Sequence, residues 1–92
     1  MQTVIANTAK GRRVWIQGTC AKGWPVGARY DVTYEEWNIV LTLSPTGKRK
    51  VAKGKGGIID LTSQKVTRWA QDSESAQVIF DAPRGRILFV RG

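Results

Sequence analysis

The sequence predicts one small α+β domain, mostly β, built from two β-α-β-β units. Three observations predict it. Short apolar or alternating runs are punctuated by Gly, Pro, Asn and Ser. One stretch alone carries helical spacing on an apolar face. The order of elements occurs twice along the 92 residues, a length that suits a single domain.

The strands justify themselves in turn. Val14-Trp15-Ile16-Gln17 ends at Gly18. Arg29–Tyr34 alternates polar and apolar or aromatic residues, the period of a half-buried strand. Asn38–Leu43 is β-branched and apolar, and Ser44-Pro45-Thr46-Gly47 closes it. The short Glu35-Glu36-Trp37-Asn38 link makes those two strands a hairpin. Ile58–Leu61, Gln77–Asp81 and Arg86–Val90 are the later strands, with Ala82-Pro83-Arg84-Gly85 turning between the last two.

The helix starts at Thr62 or Ser63, both good N-caps, and runs to Gln71. Val66, Trp69 and Ala70 sit at i, i+3, i+4 and form its core face.

Laid on one another, the halves place Trp24 near Trp69, Val32 near Val78, Tyr34 near Phe80, Ile39 near Ile87 and Leu41 near Phe89. The pseudo-repeats span about 12–44 and 57–91, joined by a basic loop 46–57. One such unit cannot bury its sheet faces, whereas two packed together can. A monomer or a homodimer satisfies this pattern.

Charge is the strongest functional signal. Fifteen Lys and Arg face seven Asp and Glu, a net +8, which favours polyanions. Nucleic acid comes first; an acidic protein partner is the alternative. No apolar run is long enough to cross a bilayer, and Met1–Ile5 does not read as a signal peptide. The expected location is the cytoplasm. A lone Cys20 fits a reducing compartment, where it is expected to be a small buried hydrophobe.

An enzyme is not expected. The chain has no histidine, which removes the usual general base and the commonest metal ligand. There is no phosphate-cradling glycine signature. Asp31, Asp60 and Asp81 are too scattered for an acid–base pair, and Asp60 is read as favouring the start of the helix. No cofactor and no metal are implied.

Arg13–Gly18, then Cys20-Ala21-Lys22-Gly23-Trp24, then Pro25–Val32 resembles the strand, short helix, aromatic, glycine and strand order of SymE-like and AbrB/MazE-like swapped-hairpin proteins. The match covers roughly 12–43. A fuller resemblance takes in Arg12–Tyr30, Lys48–Ala52, Gly57–Leu61 and Gly85-Arg86-Ile87. It is to a small domain of phage and prophage proteins, including N-terminal extensions of some DNA cytosine methyltransferases. Cys20-Ala21 replaces the apolar residue of that pattern, and Gly23-Trp24 its Gly-Phe. The resemblance implies a swapped-hairpin-like barrel and a DNA-binding accessory or regulatory role in a phage or mobile element. No methyltransferase segment is present, so no catalysis carries over.

The candidate nucleic-acid contacts are Lys10, Arg12, Arg13, Lys48, Arg49, Lys50, Lys53, Lys55, Arg84 and Arg86. Spaced cations among glycines reach several phosphates. The alternative for the run at 48–55 is a solvated linker, because its apolar content predicts a loop or an exposed edge. If the three clusters share a face, about six to ten phosphates are within reach. Lys22 and Lys65 are expected to lie off that face. The four Trp raise base stacking, but Trp24 and Trp69 read as core, and Trp37 at a hairpin tip reads as exposed. DNA is favoured over RNA. The other readings are a phage inhibitor that binds a host defence or regulatory protein, and an RNA-directed SymE-like toxin.

Overall fold

The computed structural model describes residues 2–8 and 11–91, with side chains from Ile5 onward. The elements are β1 (Gln2–Thr8), β2 (Gly11–Gln17), a 3-10 turn at Thr19–Lys22, β3 (Arg29–Tyr34), β4 (Asn38–Leu43), β5 (Arg49–Lys50) and β6 (Ile58–Leu61). They continue with α1 (Gln64–Ala70), β7 (Ser75–Asp81), a 3-10 turn at Ala82–Arg84 and β8 (Arg86–Arg91). The class is α+β and mostly β.

The strands run in the order β5-β3-β4-β8-β7-β1-β2-β6, every neighbouring pair antiparallel. They form two sheets that share β1. Its first part pairs with β7, and Ile5–Thr8 pairs with β2. The expected barrel does not close. β5 and β6 end the order, and they meet only at the isolated bridge Ala52–Ile58. The cause is local: β5 is two residues long, and Gly54, Gly56 and Gly57, all at positive φ, turn the chain before a ladder can extend.

The two hairpins share one register. Val32 faces Leu41 as Val78 faces Phe89, and Tyr34 faces Ile39 as Phe80 faces Ile87. β4 and β8 run side by side with Val40 opposite Leu88. A local pseudo-two-fold therefore passes between those two residues. It also relates the outer strands, since β5 pairs with β3 where β1 pairs with β7. The segment 46–57 is thus not simply a connecting loop. It contains a strand, and Val51 is 2% exposed, with Gly47 and Gly57 buried beside it. Local composition favours a loop, but backbone pairing to Arg29 and Tyr30 overrides it.

Alternation builds the core. Val14 and Ile16, Ile39 and Leu41, Ile59 and Leu61, Ala76 and Val78, and Ile87 and Phe89 point inward from their strands. α1 adds Val66, Trp69 and Ala70, as its spacing predicts. Trp24 joins them, its ring 5.6 Å from that of Tyr30. Burial pushes the Tyr30 hydroxyl pKa above its ordinary value, while nearby Arg49 pulls the other way.

Two further expectations are overturned. Cys20 is exposed, because Thr19 takes the buried position of that 3-10 turn. Asp60 does not serve the helix. It is the outward residue of β6, 3.7 Å from Arg13, and the N-cap is Ser63.

Candidate nucleic-acid interface

The ten candidate cations separate by what each one touches. Lys10 lies outside the described residues. Arg12 is turned toward α1: its guanidinium donates to the carbonyls of Gln71 and Ser73, and its amide to Thr67 Oγ1. Gln71 is the C-cap of the helix and Ser73 follows it, so the cation stands at the negative end of the helix dipole. Arg13 is held between Asp60 and the Trp15 ring. Arg84 and Arg86 both pair with Asp81, at 3.3 and 3.1 Å. The Arg86 hydrogen bond, with Arg84 adding to it, holds the Asp81 carboxyl below its ordinary pKa.

The run at 48–55 is different. Among the described residues, none of Lys48, Arg49, Lys50, Lys53 and Lys55 is in an ion pair. The four lysines are exposed. The segment from Lys48 to Ala52 spans about 13 Å at the rise of an extended strand, and the turn that follows carries Lys53 and Lys55.

Sheet register decides which clusters share a face. Lys50 lies opposite Arg29, Asp31 opposite Thr42, and Thr42 opposite Arg86. Paired residues, and residues two apart on one strand, project to the same side. Lys50, Arg29 and Arg86 therefore stand on one sheet face, Lys50 and Arg86 about 16 Å apart, three strand spacings across and two residues along. Arg12 and Arg13 belong to the other sheet.

Sequence reasoning missed the inner side of this edge. A groove of about 750 Å3 runs between β3 and α1, and Lys48, Arg49, Lys65 and Arg68 line it against a single carboxylate, Asp31. Lys65 is thus beside the basic run rather than off it, its ammonium 5.8 Å from the centre of the Tyr34 ring. The legible signal was the i, i+3 spacing of Lys65 and Arg68 on the polar face of α1. Lys22 has its ammonium over the Phe80 ring, on a turn whose Cys20 amide donates to the Gly56 carbonyl. Trp24 and Trp69 are core, while Trp37 is 58% exposed with the Arg91 guanidinium 4.4 Å from its ring centre.

Comparison with protein-family models, with curated proteins and with solved structures returns no match. No helix among the described residues is long and apolar enough to cross a membrane.

Arg12→Ser is expected to lower folding stability by about 1.5–3 kcal/mol, the range for hydrogen bonds to a charged group. The same variant should leave the salt dependence of nucleic-acid binding unchanged. Chemical denaturation and binding titrations at three salt levels check both halves. A shallower salt slope at wild-type stability would reassign Arg12 to the interface.

Proposed function

We propose that the protein binds nucleic acid, duplex DNA in the first instance, by holding backbone phosphates along the β5 edge. It is a binding protein rather than a catalyst, acting in the cytoplasm as a phage-type or mobile-element accessory protein. One observation carries the reading. Among the described residues, the lysines of 48–55 are exposed and in no ion pair, whereas Arg12, Arg13, Arg84 and Arg86 are engaged by carboxylates or carbonyls. Solvated cations next to a structured strand are free to displace counterions from phosphates. Arg29 stands on the face of Lys50 with its guanidinium on the Gly47 carbonyl at 3.1 Å, and Arg86, paired with Asp81, is left out of the contact. The likeness to swapped-hairpin DNA-binding proteins supports DNA as the polyanion.

The test is the salt slope. Each phosphate neutralised on a duplex contributes about −0.9 to the slope of log K against log salt. Lys48, Lys50 and Lys53 are changed to Ser, and Lys55 to Asn, since its φ of 48° suits asparagine. If three of the four touch phosphate, the slope becomes shallower by about 3, with affinity falling alike for all sequences. Lys22→Ser serves as the control and should change the slope by less than about 1. A quadruple variant with the wild-type slope excludes this edge.

A further inference from the structure

β5 covers only part of β3. Lys50 pairs with Arg29 and Arg49 with Tyr30, and among the described residues no strand pairs with β3 beyond Tyr30 on that side. The remaining edge, Asp31–Tyr34, borders the groove whose other wall is α1.

The phase of the ladder shows which groups point into that groove. The Glu35 amide donates to the Asn38 carbonyl at 2.8 Å. Hydrogen-bonded pairs alternate from there, so Thr33 and Asp31 bond to β4. The amides and carbonyls of Val32 and Tyr34 point the other way. On the same phase, the Val51 amide donates to the Ala28 carbonyl at 3.0 Å. Val32 and Tyr34 thus offer two donors and two acceptors, about 6.6 Å apart along the edge.

We infer that this open edge of β3 takes an added strand: an extended acidic peptide segment of another protein, seated between β3 and α1. A strand satisfies donors and acceptors together. A phosphodiester chain offers only acceptors at its phosphates and would leave the Val32 and Tyr34 carbonyls unmatched. The charge states the peptide's chemistry. Lys48, Arg49, Lys65 and Arg68 line the groove with Asp31 as its one carboxylate, while Glu35 and Glu36 line the adjoining cavity beside Lys65 and Arg68. α1 lies on the side to which Tyr34 projects, since Ser63 Oγ is 3.3 Å from its hydroxyl and Lys65 sits over its ring. Side chains of the added strand alternate between that side and solvent, so Asp or Glu at every second position meets the cations. This goes beyond phosphate binding, shares Lys48 alone with the four lysines varied in that test, and stands without it.

The probe is an acetylated, amidated hexapeptide, Glu-Thr-Glu-Val-Glu-Thr, titrated into the full chain while backbone amide shifts are followed by NMR. The Val32 and Tyr34 amides should move most. Replacing every Glu of the peptide by Gln should weaken binding about tenfold, as should Lys65→Ser with Arg68→Ser. Variants are accepted when the β7 and β8 amides are unshifted. Two further peptides carry N-methyl groups on one or the other alternate set of amides. Strand addition predicts that one set loses at least about tenfold in affinity and the other keeps most of it. The inference is overturned if both sets behave alike, if no titration occurs to millimolar peptide, or if an oligothymidylate rather than the peptide shifts Val32 and Tyr34. The quadruple-lysine salt-slope test can fail without touching any of these outcomes.

Discussion

Trp24→Ala is expected to cost about 3–5 kcal/mol of folding stability, the range for truncating a buried aromatic. The indole is 2% exposed and packs at a tilt against Tyr30, ring centres 5.6 Å apart. Its backbone is pinned on both sides: the Trp24 amide donates to the Thr19 carbonyl at 3.0 Å, and Thr19 Oγ1 donates to the Trp24 carbonyl at 2.9 Å. The segment therefore cannot slide inward to fill the space, and the cavity remains. Against a total of about 5–15 kcal/mol for a typical domain, that loss leaves little margin. Urea unfolding should show the midpoint falling sharply with the slope unchanged, and Trp24→Phe should recover more than half of the loss. A midpoint within about 1 kcal/mol of wild type would mean that the site collapses freely.

Gly57→Ala is expected to cost about 2–5 kcal/mol, combining left-handed strain with overpacking. Gly57 has φ +98°, where an L side chain is strained. A Cβ there would stand 2.3 Å from Thr19 Oγ1, and 3.2 Å from both Cys20 Sγ and Val51 Cγ1. Thr19 cannot yield cheaply, because its hydroxyl is committed to the Trp24 carbonyl. Gly57 also accepts the Gly18 amide at 2.9 Å, so a shift there loosens the β2 end as well. Gly18→Ala isolates the backbone contribution. Gly18 has φ +79° but nothing within 4 Å of a Cβ, so about 1–2 kcal/mol is expected. Thermal unfolding of the two variants side by side makes the comparison. Equal losses would show that the contact with Thr19 relaxes.

The strands with strong alternation were legible in the sequence. Arg29–Tyr34, Asn38–Leu43 and Ile58–Leu61 form as read, and α1 differs from its reading only at its ends. Side-chain pattern alone specifies such elements. β5 was not legible, because nothing within Lys48–Lys55 except Val51 and Ala52 is apolar. Its pairing comes from the backbone of β3, distant in sequence. β1 was not read as a strand either: its partners β2 and β7 lie on either side of it in the sheet order, and only Ile5 among its described side chains is core.

The candidate site was half legible for a similar reason. A run of cations is visible in one dimension, so Lys48–Lys55 stood out. Whether an arginine is already occupied is a three-dimensional fact. Arg12 spent on the helix end, and Arg84 and Arg86 spent on Asp81, follow from contacts that composition does not encode. Lys65 was expected off the basic face and Arg68 was not singled out; the wall that makes them part of a groove is β3.

The exchange of outer strands between the two halves sets the order in which the chain can fold. Gln2 pairs with Gln77 and Asn38 with Val90, so both junctions wait for the last hairpin to exist. A topology dominated by such distant pairings places the refolding rate in the slow, millisecond-to-second regime for small domains. During synthesis β1 precedes the other strands and waits for β7. Until β7 follows it, β1 has only β2 as a partner, and its other edge stays open to any other strand nearby. The net charge of +8 acts against such pairing between copies, since like-charged chains repel.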